Sequence, residues 1–121
     1  MKVENVNNTN YKFSESDKQL RKMVDAYAED VIKGKMQFYP EDDEGNEVEH
    51  YEAYSIKYVV DSNGNLEDVI IMLAGGGPNI WLDTHAREVQ GFWGSTKYTK
   101  YIYDYEYIID YWSEIYDCCV K

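Results

Sequence analysis

The chain has 121 residues and a formal net charge of −11, from 23 acidic against 12 basic side chains. Apolar and aromatic residues make up 44% of it, including 13 Tyr, 3 Trp and 3 Phe. That is enough for the core of one domain over 1–121 and too much for a disordered polyelectrolyte. No run approaches the ~18 apolar residues of a membrane span, and the acidity argues against nucleic acid or an anionic lipid surface as a direct partner.

Met1 to Asn5 contain no apolar leader, and Cys118 and Cys119 are adjacent and cannot staple distant segments, so a cytoplasmic, reducing setting is expected. Residues 1–13 read as a loose polar arm. Ser16-Asp17-Lys18-Gln19 has the form of a capping box, with a hydroxyl at the cap and Gln three residues on. Leu20, Met23, Val24, Tyr27 and Val31 then line one helical face, which predicts a helix over about 17–33 that Gly34 stops. Pro40 and the acids Glu41, Asp42, Asp43, Glu44, Glu47 and Glu49 make 35–50 an acidic loop.

From about Tyr51 the period becomes alternating. Tyr54, Ile56, Tyr58 and Val60 fall on one face of a first strand, and Asp61-Ser62-Asn63-Gly64-Asn65 is a hairpin signal. A second strand, Leu66 to Leu73, carries the unbroken apolar run Val69 to Leu73 and is expected to be the most buried. Gly75-Gly76-Gly77-Pro78 breaks it. Strands over 79–83 and about 88–93 follow, while Tyr98 to Ile102 fits either a fifth strand or the approach to the last helix. Projected as a helix, 104–119 gathers Tyr105, Ile108, Ile109, Trp112, Ile115, Tyr116 and Cys119 on one side. Glu106, Asp110, Glu114 and Asp117 gather opposite them, with Tyr107 and Tyr111 toward the acids. The expected architecture is α+β: an N-terminal helix, a three- to four-stranded antiparallel sheet and a C-terminal helix packed on one sheet face.

The charge is uneven along the chain. Residues 1–35 hold seven bases and six acids, whereas 36–121 hold five bases and 17 acids. A solvated, solubilising surface is one reading of that excess; a surface for a basic partner is the other. No motif competes with these. The glycine run lacks the Gly-Lys-Ser/Thr of a phosphate loop, and Pro78 has no amide hydrogen to offer an anion. His50, His85, Asp83 and the cysteines lack the spacing of a metal shell, so no metal or cofactor is expected. A helix C-terminus raises a thiol pKa, so Cys118 and Cys119 are poor nucleophiles; Cys119 reads as packing and Cys118 as partly exposed. No catalytic constellation is expected. Seven tyrosines lie between 98 and 116, some for the core. Beside carboxylates, the others suit Arg and Lys, which pair with the acids and stack on the rings.

The block Leu73 to Thr84 (LAGGGPNIWLDT), with Phe92-Trp93-Gly94 and the closing acidic, Tyr-rich helix, resembles small accessory proteins of phages and mobile elements. In its overall character the chain resembles anti-restriction and anti-CRISPR proteins. That resemblance implies an inhibitor that fills the basic groove of a host nuclease or nucleic-acid-binding protein, in the host cytoplasm, its carboxylates standing in for phosphates. The basic residues Lys18, Arg21 and Lys22 of the first helix depart from a DNA-like surface. The candidate partner-binding residues are Glu106, Asp110, Glu114, Asp117, Tyr107 and Tyr111, with Asp42, Asp43, Glu44 and Glu47. Two alternatives stay open. One is a protein-binding module such as an immunity protein, antitoxin or phage assembly factor; the other is a small enzyme whose site would join Trp81, Asp83 and His85.

Overall fold

The computed structural model describes residues 15–121, and the expected arm at 1–13 lies outside the described residues. Helix α1 (Glu15–Ile32) is followed by five strands, β1 (Ser55–Val60), β2 (Leu66–Ala74), β3 (Asn79–Asp83), β4 (Glu88–Trp93) and β5 (Thr96–Tyr101), then by α2 (Glu106–Ile115) and a π-helical turn over Tyr116–Val120. The strands form one antiparallel meander in chain order. The expected α+β layering therefore stands with one more strand: Thr96–Tyr101 is the fifth.

α1 presents Leu20, Val24, Ala28 and Val31 to the core, a spacing that keeps one stripe of the helix against the sheet. It starts one residue ahead of the expected cap, so Ser16 lies inside the first turn. The helix packs on β4 and β5, and α2 packs on β2. Both cover the same sheet face, where Val69, Ile71, Leu73, Ile80, Leu82 and Val89 are buried. The close approach of α1 is set by Gly91. A Cβ there would lie 2.5 Å from Val24 Cγ2 and 2.8 Å from Leu20 Cδ1.

Three expectations need correction. First, the alternation assigned to β1 holds only for Ile56 and Tyr58, because Tyr54 precedes the strand and a bulge between Val59 and Val60 breaks the register. Tyr54 and Val60 are exposed at 67% and 42%. Second, β2 is buried on one side only: Val69, Ile71 and Leu73 are core, whereas Ile70 and Met72 are half-exposed on the opposite face. Third, the last helix is shorter than the projected 104–119. Asp104 has φ of 57°, outside helical geometry, and after Ile115 the winding loosens to a π turn. The looser winding changes the angle per residue, and Cys119, expected to pack, is exposed like Cys118.

Gly91→Ala is expected to cost about 1–3 kcal/mol, because the added methyl meets packed side chains on the facing helix. Gly77→Ala, where a Cβ meets open space, is expected to stay within about 0.5 kcal/mol of the parent. Urea unfolding of the two variants checks the contrast.

Candidate functional site

Successive helical residues turn by about 100°, so Glu106, Asp110 and Glu114 step up one side of α2 at i, i+4 and i+8, about 6 Å of rise apart. All three are exposed, as is Asp117 in the π turn. Among the described residues, ion pairs form at Lys18–Glu15 and Lys33–Glu29, and histidines lie beside Glu52 and Asp68. None of these pairs involves an α2 acid. The reason is placement. Thr96 on β5 donates to Asp17, and Arg21 lies over the Tyr98 ring at 4.5 Å, so the first half of α1, with Lys18, Arg21 and Lys22, sits at the β5 side. α2 lies over β2, and its continuation packs Tyr116 on Tyr58 of β1, at the opposite side of the sheet.

The acidic loop is an ordered hairpin. Tyr51 N donates to Gln37 O, Val48 N to Pro40 O and Asp42 N to Asn46 O, closing it in steps toward the tip, where Glu41 and Glu47 form a β-bridge. The tip repeats the main-chain bonding of the β1–β2 turn. In both, an Asp carboxylate accepts from the amides two and four residues on, and Gly in the fourth position takes positive φ. Asp42-Asp43-Glu44-Gly45-Asn46 and Asp61-Ser62-Asn63-Gly64-Asn65 share the pattern D-x-x-G-N, a signal present in the sequence that identifies the acidic loop as a turn. The Asn46 amide, aided by that of Glu44, holds the Asp42 carboxyl below its usual range. Asp42 thus shapes the tip, while Asp43, Glu44 and Glu47 are exposed around it.

Tyr107 and Tyr111 join these two acidic elements. The helical projection set them toward the acids; the structure sets them at the border between acids and core, turned onto residues 31–39. The Tyr107 hydroxyl donates to Val31 O at 2.7 Å and accepts from Met36 N at 3.2 Å. Tyr111 packs against Phe38 and Tyr39, and Phe38 also meets Trp112 edge-on at 5.3 Å between centroids. Tyr51, at the base of the hairpin, donates to the Asp30 carboxylate of α1. Between loop and helix remains a cleft of about 100 Å³, lined by Met36, Phe38, Tyr107, Ile108 and Tyr111 among others. Its volume is below the ~300–1,000 Å³ typical of small-molecule sites. The exposed aromatic ring beside these acids is Tyr39, which the spacing argument did not single out; Tyr101 and Tyr103 are exposed on the β5 side.

Trp81 and Asp83 share one face of β3, but each member of the Trp81, Asp83 and His85 group is engaged elsewhere. The Asp83 carboxylate accepts from Ala86 N within its own turn, the His85 ring lies 3.3 Å from Asp68, and Lys57 lies over the Trp81 ring. Among the described residues no three His, Cys, Asp or Glu side chains are placed to hold a metal ion, and no helix is long and apolar enough to cross a membrane. None of the protein-family models, curated proteins or solved structures compared with the chain matches it.

Burial raises the hydroxyl pKa of Tyr51, Tyr107 and Tyr111, most strongly for Tyr51, where the Asp30 carboxylate adds to the rise; at Tyr107 the Met36 amide partly opposes it. The folded state therefore favours the neutral phenol. Its contribution is fully present below the unfolded value near ~10 and is lost as pH rises through the folded values. The urea midpoint is expected to hold up to about pH 9.5 and to fall above about 10. At neutral pH, Tyr107→Phe is expected to cost about 1 kcal/mol, since Met36 N loses its acceptor.

Proposed function

We propose that this protein is a non-enzymatic inhibitor that binds the basic groove of a host nucleic-acid-binding defence enzyme, with its α2 carboxylates in place of phosphates. The observation that carries this reading is the row of Glu106, Asp110 and Glu114, exposed and without a cationic partner among the described residues. Their ~6 Å axial steps are close to the separation of adjacent phosphates along one strand. The acidic hairpin, fixed beside the row by Phe38 and Tyr39, widens the negative surface. A rigid array has an advantage over a flexible acidic tail, because the charges are already in place when the groove arrives.

Each exposed charge pair contributes ~0.2–1 kcal/mol, so the effect lies in the sum and in long-range steering, both screened by salt. The anti-restriction and anti-CRISPR resemblance agrees with this chemistry. A basic protein that does not bind nucleic acid, as an antitoxin or immunity protein would meet, is the second reading; competition separates the two.

The test uses labelled duplex DNA bound to a purified restriction or RNA-guided nuclease from the host. Addition of this protein is expected to displace the DNA, with an apparent affinity that falls steeply as salt rises. Glu106→Gln/Asp110→Asn/Glu114→Gln is expected to weaken displacement about tenfold to a hundredfold, the equivalent of about 1–3 kcal/mol. Binding that is indifferent to salt, or that leaves the DNA in place, contradicts nucleic-acid mimicry.

A further inference from the structure

Several half-exposed rings of this chain are covered by its own cations. Arg21 lies over Tyr98 and, on the open sheet face, Lys57 lies over Trp81 and Lys97 over Phe92. The rings beside the α2 acids differ. Among the described residues no Lys or Arg lies over Tyr39, Tyr107 or Tyr111. Of the two bases nearest in sequence, Lys33 pairs with Glu29 and Lys35 is exposed, and neither lines the cleft that these rings enclose.

That cleft, of about 100 Å³ between the acidic hairpin and α2, has room for a single side chain. Met36, Phe38 and Ile108, all buried, give it apolar walls, and Tyr39, exposed at 40%, stands at its mouth with Gln37. Asp110 and Glu114 follow Tyr107 and Tyr111 by three residues each, the neighbouring positions on the helix surface. Both are exposed, so carboxylates flank the aromatic mouth.

We infer that this cleft takes one arginine side chain of the partner. This rests on the groove-binding reading above and names a contact which that reading leaves open. The apolar walls accept the methylene stem. The guanidinium is planar and more weakly hydrated than an ammonium, so it can lie against the Tyr39 ring and pair with Asp110 or Glu114 at the same time. Gln37 Oε1, which accepts from Tyr39 Oη at 2.7 Å, keeps a second lone pair for an N–H. A lysine offers a compact, strongly hydrated charge and no plane to stack. An apolar side chain draws nothing from the flanking acids. The cleft lies between the two acidic elements, in the middle of the negative surface, where a pocketed anchor contributes most to an interface.

The test needs neither nuclease nor DNA. The full chain is titrated with N-acetyl-arginine amide, its neutral isostere N-acetyl-citrulline amide, and the lysine and leucine amides, at constant ionic strength, with the tyrosine ring signals followed by NMR. The arginine probe is expected to give saturable shifts at Tyr39 and Tyr111 with a Kd of about 1–10 mM. Citrulline amide is expected to bind about threefold to fivefold more weakly, the effect of one exposed cation–ring contact. Tyr39→Ala is expected to weaken the arginine probe about fivefold, and Tyr39→Phe to leave it within about twofold. Asp110→Asn/Glu114→Gln is expected to weaken it about threefold and to leave leucine amide unchanged. Lysine, citrulline or leucine amide that binds as tightly as arginine, or shifts that never saturate, overturn the inference. The comparison of probes on the parent chain decides this even if the Tyr39 variants fail to fold. A probe that binds while DNA stays on the nuclease removes mimicry and keeps the arginine site; displacement of DNA by a chain whose cleft ignores the probe does the reverse.

Discussion

Two acidic segments, the hairpin at 41–47 and helix α2, repel each other, and what keeps them adjacent is the burial of Met36 and Phe38 against Tyr107, Tyr111 and Trp112. Large aromatic side chains remove ~150–250 Å² each from water, worth several kcal/mol apiece at ~25 cal/mol per Å². Like charges at the surface oppose this by only tenths of a kcal/mol per pair. The apolar contribution wins, and a concentration of negative charge becomes part of a fixed surface. The hydroxyl of Tyr107, bonded to Val31 and Met36, ties the same seam to the end of α1.

The sheet separates surfaces of different character. α1 and α2 share one face, with Lys18, Arg21 and Lys22 of α1 at the β5 side and the acids of α2 toward β1 and β2. That separation leaves the α2 carboxylates without a cationic partner among the described residues. The other face carries apolar side chains and mixed charge.

Much of this was legible beforehand. The helical stripe from Leu20 to Val31, strands 79–83 and 88–93, and the D-S-N-G-N turn follow from periodicity and turn chemistry, which are local. The acid stripe of α2 was legible for the same reason. What escaped depends on contacts distant in sequence. Gly91 is needed because Val24 and Leu20 press on it, and nothing near Gly91 announces them. A helical projection turns Tyr107 and Tyr111 toward a partner because it records angle but not the neighbouring loop that covers that angle. Cys119 was misplaced because the projection assumed constant winding, which ends at Tyr116. The turn at the tip of the acidic loop is legible in D-x-x-G-N, a local pattern that charge density alone does not reveal.

Carboxylate footprinting of the proposed complex with a host nuclease tests the central claim most directly. With carbodiimide labelling read by mass spectrometry, Glu106, Asp110 and Glu114 are expected to be protected on binding, together with Asp43, Glu44 and Glu47 at the hairpin tip. Excess duplex DNA should return all six to full reactivity. Protection confined to Asp83 and Glu88 on the open sheet face, or to the acids of α1, with the α2 row still reactive in the complex, would contradict the account.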